Sequence, residues 1–479
     1  MSSILEQVIL YEKEHAGLAD SQRPLFHITG KIGWINDPNG FSVYKDMYHM
    51  FFQYHPYSTN WGPMHWGHVV SEDLLSWEYR DIALAPDQTY DKNGCFSGTA
   101  ITLQSGEHAL MYTSVNADGK QEQSLALGDG IHYKKFDKNP IICSQDVPQG
   151  NSTIDFRDPK IWKEDNRYYA VIGNKDENQK GCILLYQSQD LHHWEFVSTF
   201  YRNTENFGTM LECPDFFSLE DKDVLIVNPC SVKAIKDEFS SGHVSALFLG
   251  TWNRETNIFE KETCQNLDYG LDFYAPQTIL DKKGRRILIG WMQNWNTAQF
   301  EHANKLLYGC LTLPRVLEKR GTRIVQNPIE EIRNYYHSDI SLQTTMDGEV
   351  QLDEVRGRYF DLELSFLNQK NLVFSIQVAK GKDSYFLIEY SQNNNTLTID
   401  RTYDGNVCDT IHVRKKVLYS HNEKTKLRVL VDRQCIEIFV NEGEDVFSNI
   451  TYAPLEHDEI SFITNQKIDV QLQFHILKK

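Results

Sequence analysis

The chain has 479 residues, more than one hydrophobic core normally supports, so two domains are expected, each large enough to bury a core of its own. A formal charge of -18 argues against general affinity for nucleic acid or for an anionic membrane surface, since both need clustered Lys and Arg, and leaves a neutral small molecule as the easier partner. No apolar run is long enough to span a bilayer.

Residues 4 to about 15 carry Ile4, Leu5, Val8, Ile9 and Tyr11 at helical spacing and predict a short amphipathic helix packed on the body. The same N-terminal stretch mixes these residues with Glu6, Glu12, Lys13, Glu14 and Asp20, which is unlike a signal peptide. Nine scattered cysteines contain no Cys-x-x-Cys pair and suit reduced thiols, so a cytoplasmic protein is expected.

From Phe26 onward the pattern changes to short runs of β-branched and aromatic residues punctuated by Gly, Asn, Asp and Pro, the pattern of an all-β protein. Met47–Phe52, Tyr168–Ile172 and Arg286–Trp291 are examples. The phrase Asp73-Leu74-Leu75-Ser76-Trp77-Glu78-Tyr79 returns as Asp190-Leu191-His192-His193-Trp194-Glu195-Phe196, 117 residues later, which is two units of about 58. The turn anchors Asp37, Phe96, Asp158, Glu212 and Asp272 follow one another at steps of 59, 62, 54 and 60 residues. Five all-β units of nearly constant length predict a five-bladed β-propeller, whose inner strands bring Asp37, Asp158 and Glu212 to one funnel. In both phrases the tryptophan, Trp77 or Trp194, is expected in the core.

After Pro328 the repeat stops. Residues 1–328 are thus expected to form the propeller, 329–337 a connection with a helical turn, and 338–479 a β-sandwich, because strands such as Leu372–Val378 and Leu427–Asp432 alternate cleanly between polar turns. No catalytic cluster stands out there, so a supporting role and a possible share in a homodimer interface are expected.

The chemistry is concentrated in Trp34-Ile35-Asn36-Asp37-Pro38-Asn39-Gly40, a strand running into a stiff turn, and in the proline-flanked carboxylates of Arg157-Asp158-Pro159 and Glu212-Cys213-Pro214. Two carboxylates across a cleft can cleave a glycosidic bond, one donating a proton and the other attacking or stabilising the anomeric carbon. Glu212, among apolar neighbours, is expected to have a raised pKa and act as the acid; Asp37 is the candidate for the ionised nucleophile, and Asp158 beside Arg157 is expected to stay ionised. Asp215 is read as a cap on the turn after Pro214. The charge run Lys175-Asp176-Glu177 is read as a solvated loop, whose blade position could bring Lys175 near the aglycone. His65-Trp66-Gly67-His68 and His192-His193 lack a third ligand in register, and Asp91, Asn93 and Gly94 lack the rest of a cation loop, so no metal is expected. Cys213 has no partner base and is not read as a nucleophile.

Trp34 to Gly40, Phe52-Gln53-Tyr54-His55-Pro56, Trp61 to His68, Phe96-Ser97-Gly98, Phe156-Arg157-Asp158-Pro159, Glu212-Cys213-Pro214 and Gly290-Trp291-Met292 together resemble the ordered motifs of glycoside hydrolase family 32, and Val431-Asp432-Arg433 with Glu437 to Asn441 resembles its sandwich domain. The resemblance implies retaining cleavage of terminal β-fructofuranosides without metal or cofactor, with sucrose, sucrose 6-phosphate or short fructo-oligosaccharides as substrate. It casts Asp37 as nucleophile, Glu212 as acid and then base, and Asp158 as the transition-state stabiliser gripping fructosyl hydroxyls, with Arg157 beside it. Asn36, Gln53, Trp61, Phe96 and Ser97 would line the fructose pocket and Trp291 form its wall. A fructosyltransferase or a non-catalytic fructan-binding protein on the same scaffold are the alternatives.

Overall fold

The computed structural model describes residues 3–203, 207–298, 305–405 and 411–479. Ser3 and Glu6 form a reciprocal capping box at the start of the helix Ile4–His15, which buries Val8 and lays Leu5 and Ile9 on the first hydrophobic core while leaving Ile4 exposed. Among the described residues no helix is long and apolar enough to cross a membrane.

Five antiparallel sheets follow, each beginning with its inner strand: Gly33–Tyr44, Gly94–Thr102, Asn151–Glu164, Met210–Leu219 and Tyr274–Leu280. These inner strands adjoin one another in a ring, the last returning to the first, so the sheets are the blades of a five-bladed propeller. The ring is closed by a graft: Leu307–Tyr308 pairs in parallel with Gly33 and Trp34, adding a late piece of chain to the first blade.

The repeated phrase is one turn built twice. In the first blade the backbone N–H of Leu74 donates to Ser71 Oγ at 2.9 Å and those of Leu75 and Ser76 to Asp73 Oδ1 at 2.9 and 2.8 Å; in the third, Leu191, His192 and His193 repeat these bonds with Ser188 and Asp190. Leu74 and Leu191 sit at φ 70° and 69° and are both buried. Trp77 and Trp194 lie only half in the core, packed against it from the rim, because the turn places them at or just before the start of the outermost strand.

Midway down, polar side chains bridge the inner strands across the channel. Gln277 Nε2 donates to Gly98 O at 2.7 Å, and Lys160 Nζ reaches Asp215 Oδ2 at 3.0 Å and Thr278 O at 2.9 Å. Asp215 also accepts the Thr278 N–H at 2.6 Å, so it ties three inner strands together and does not merely cap the turn after Pro214.

The C-terminal part, joined through the 3-10 helix Glu330–Tyr335, is a continuous sheet folded into a sandwich. The 18-residue strand Glu459–Ile476 makes the fold possible: its first part pairs with Val373–Lys380 and its last part with Tyr359–Leu367, so one strand serves both layers. Phe374, Ile376 and Ile388 from one layer meet Leu362, Val429 and Ile438 from the other in a single dry core.

Candidate active site

Every inner strand slips register with its neighbour at the same level. Asn36 and Asp37 lie opposite Gln53 alone, Phe96 and Ser97 opposite Thr113, Asp158 and Pro159 opposite Ile172, Cys213 and Pro214 opposite Val227, and Ala275 and Pro276 opposite Gly290. These are β-bulges, two residues against one, and they accommodate Pro159, Pro214 and Pro276: proline has no N–H to give a ladder, and a bulge asks for none. The bulge bends the strand and re-aims side chains towards the axis. Asp158, Cys213 and Ala275 there adopt φ values of 66°, 42° and 49°, a left-handed conformation that non-glycine residues hold only where surrounding structure fixes it.

The bulges surround a cavity of about 220 Å³. Asp37, Asp158 and Glu212 line it together with Asn36, Gln53, Phe96, Ser97 and Arg157, and the half-exposed Trp61 stands at its rim, edge-on to Phe96. One oxygen of Asp37 is held by Ser97 Oγ at 2.7 Å and by the Cys213 thiol at 3.4 Å; the other, Oδ1, is buried without a hydrogen-bond partner. Asp158 accepts the Cys213 N–H at 3.0 Å and its own N–H donates to Thr113 Oγ1 at 2.8 Å. Glu212 Oε1 takes two bonds from Arg157, from Nη2 at 2.6 Å and Nε at 3.1 Å, and Oε2 takes the Tyr274 hydroxyl at 2.7 Å. An enclosed pocket with two differently held carboxylates suits glycosidic-bond chemistry.

The amino-acid sequence matches the glycosyl hydrolases family 32 N-terminal domain over residues 27–328 and the family 32 C-terminal domain over residues 329–476. The chain belongs to glycoside hydrolase family 32. It is 33% identical to a sucrose-6-phosphate hydrolase from Escherichia coli, covering 96% of this chain and 95% of the relative, and 32% identical to a raffinose invertase from Escherichia coli, covering 94% of each. A GH32 beta-fructofuranosidase from Bombyx mori superposes with a TM-score of 0.84 at 30% identity over 99% of both chains. The sucrose-6-phosphate hydrolase from Lactobacillus gasseri superposes with a TM-score of 0.86 at 25% identity, over 99% of this chain and 96% of that one. The family 32 chain is thus a glycoside hydrolase of the invertase type with fructosidase activity.

The pocket of this glycosidase departs from four expectations. Trp291 is fully buried and does not line the cavity; it packs edge-on behind Trp295, with ring centroids 5.0 Å apart, and Trp295 forms the wall. Strand position decides the difference, because Trp291 ends a buried strand while Trp295 lies in the coil beyond it. Glu212 has its pKa lowered: burial raises it, but the Arg157 charge and the hydrogen bonds from Tyr274 and Arg157 outweigh burial. Asp158 is pushed up to about 7 by burial, which the Arg157 charge opposes and the charges of Glu212 and Asp37 reinforce. Asp37 is also raised, by burial first, with Glu212 adding to it against the hydrogen bond from Ser97. Arg157 thus leans on Glu212 rather than on its sequence neighbour, whose nearest oxygen is 3.9 Å away.

Other readings resolve locally. Lys175 pairs with Asp155 at 3.0 Å, and Asp155 in turn meets Arg157 at 3.4 Å, so it joins the pocket's charge network from outside. Asp91 is buried against Lys135 at 2.5 Å and accepts the Tyr112 hydroxyl, a structural lock. Burial pushes the Cys213 thiol well up, with the neighbouring carboxylates adding to it, which disfavours a thiolate. His243 lines the pocket and was invisible beforehand; it follows Gly242 in a loop of small residues, with no motif to mark it. Tyr274 stands inside the turn phrase Asp272 to Gln277 and reaches Glu212 only because the fifth bulge, defined by its partner strand, turns it there.

Proposed function

We propose that this chain is a retaining β-fructofuranosidase that releases the terminal β-D-fructofuranosyl unit of sucrose, sucrose 6-phosphate or short fructo-oligosaccharides by double displacement. The observation that carries the proposal is Asp37 Oδ1, a buried carboxylate oxygen with no partner, in the same small cavity as a carboxylate gripped on both oxygens. Asp37 attacks the fructosyl anomeric carbon while Glu212 passes a proton to the departing oxygen. Water, deprotonated by Glu212, then attacks the covalent intermediate and frees Asp37. Asp158 accepts hydrogen bonds from fructosyl hydroxyls as positive charge develops on the ring. The cavity holds one sugar ring, and the rest of the substrate lies at the rim against Trp61, whose exposed face suits the apolar side of a sugar.

Arg157 and Tyr274 lower the Glu212 pKa and burial raises that of Asp37, each shift opposite in direction to the role assigned here. Bound substrate supplies the correction: an acceptor oxygen beside Glu212 favours its protonated form, and an electropositive anomeric carbon beside Asp37 favours its ionised form. Relatives named as sucrose-6-phosphate hydrolases support the phosphorylated substrate and a cytoplasmic place for the chain.

The test adds methanol to a sucrose digest. Retention transfers fructose to give methyl β-D-fructofuranoside, whereas recovery of the α-anomer as first product would overturn double displacement. Measuring kcat/KM for sucrose and sucrose 6-phosphate side by side ranks the two substrates.

A further inference from the structure

The propeller channel has two mouths, and only one holds the carboxylates. Two to four residues further along the same five inner strands, Phe41, Ala100, Lys160, Phe216 and Thr278 line a second cavity of about 460 Å³ at the opposite mouth, beyond the polar filling formed by Lys160, Asp215 and Gln277. Its charge is inverted relative to the chain as a whole. Lys160, Lys163, Arg254 and Arg286 line it, with Glu164 the single lining carboxylate, in a protein of net charge -18.

Pairing leaves two of these cations over. Glu164 is taken by Arg254 at 2.7 Å, and Lys160, itself 92% buried, is matched by Asp215 at 3.0 Å. Among the described residues neither Lys163 nor Arg286 has a carboxylate within ion-pair distance. Arg286 is held over the Phe217 ring, 4.3 Å from its centroid, and its Nε is buried without a hydrogen-bond partner. A buried guanidinium N–H normally finds an acceptor, and leaving one unmet costs more than making it gains. Burial lowers the pKa of Arg286 despite Asp215 nearby, as expected of a cation short of counter-charge.

We propose that the distal mouth of the propeller channel is a binding site for a phosphate monoester dianion, with Arg286 and Lys163 as its two charge partners. Arg286 presents the planar fork that matches phosphate oxygens, Lys163 supplies a point charge, and the two excess positive charges equal those of the dianion. The aromatic floor of Phe41, Phe216 and Phe217 leaves room for a small organic group behind the phosphate. The site shares no residue with the catalytic pocket, so it stands independently of the reaction proposed there.

Calorimetric titration of the intact protein with inorganic phosphate and with methyl phosphate tests this, using Arg286→Gln, Lys163→Gln and, as a control at the catalytic mouth, Lys175→Gln. The expected result is saturable binding by the wild type below about 10 mM, weakened about tenfold or more in each of the first two variants and unchanged in the third, with turnover of sucrose retained in Arg286→Gln and Lys163→Gln. The retained turnover certifies that the variants are folded. Absence of binding by the wild type at that concentration overturns the proposal. So does binding that survives both distal substitutions, or that is lost with Lys175→Gln.

Discussion

Two groups of buried carboxylates divide this molecule, and their partners differ. In the catalytic pocket Glu212 and Asp158 share one guanidinium, and one oxygen of Asp37 has no partner at all. Between propeller and sandwich the carboxylates are instead met by cations and N–H groups. His27 bridges Asp432 at 2.8 Å and Glu437 at 3.0 Å; Arg315 bridges Glu437 at 2.5 Å and Asp268 at 3.0 Å; Arg401 meets Asp272 at 2.7 Å. Backbone N–H groups of Leu25, Phe26, Leu313, Ser448 and Ile450 complete the set. The same residue type is reactive in one place and structural in the other because satisfaction, not burial, sets what a carboxylate does. The pocket stores unmet interactions for substrate; the interface spends its charges on holding two domains in register.

The comparison breaks most sharply at the nucleophile. Asp37→Asn, and separately Glu212→Gln, should lower kcat at least about a thousandfold while leaving the melting temperature near that of the wild type, since neither residue carries the fold. Near-normal turnover in either folded variant would remove it from the reaction. At the interface the effect should be inverted. Glu437→Gln strands His27 and Arg315 without their shared anion and should cost about 3 to 5 kcal/mol of stability by chemical denaturation, with kcat of the surviving folded enzyme little changed. A loss under about 1 kcal/mol would show that the network is dispensable.

A smaller effect is expected at Tyr274. Its hydroxyl stabilises ionised Glu212, so Tyr274→Phe raises the Glu212 pKa and should move the alkaline limb of the kcat/KM profile to higher pH. A limb that stays in place, or moves down, would detach Tyr274 from the acid.

The smallest effect is read from pH. Burial would lower the pKa of His27, but hydrogen bonds with Asp432 and Glu437 and their charges raise it to about 10. Its folded value lies above its unfolded value of about 6.5, so its contribution is complete below that pH and is lost as pH rises through about 10. The gap in melting temperature between the wild type and His27→Gln should therefore narrow from neutral to pH 10. The buried imidazoles of His49 and His108 have the opposite sign. Burial lowers them to about 4 and about 3, so the stability they contribute is present above about pH 6.5 and fades as pH falls towards those values.

Much of this was legible beforehand, for local reasons. Period-two alternation marks strands, and the Asp-x-x-x-Trp turn phrase marks one position in a blade, so blade number could be counted. The prolines after Asp37, Asp158 and Cys213 marked the bulges without revealing that these were bulges, since a register slip needs the partner strand to define it. Asp272 shows the limit of counting. It keeps the repeat's spacing yet leaves the pocket to pair with Arg401, 129 residues away. Asp432 and Glu437 belonged to a motif whose purpose could not be read, because the groups they satisfy, His27 and Arg315, come from the propeller.

The sequence by itself determined the all-β architecture, the five-fold repeat, the change of pattern after Pro328 and the three carboxylates at the inner strands, because each is written in residues close together or in a fixed spacing. Only the tertiary structure decided which carboxylate Arg157 neutralises, that Trp295 and not Trp291 faces the cavity, and that the far mouth of the channel gathers spare positive charge. Those outcomes depend on distances between strands remote in sequence, and electrostatic energy is set by such distances and by burial, neither of which a linear order of residues contains.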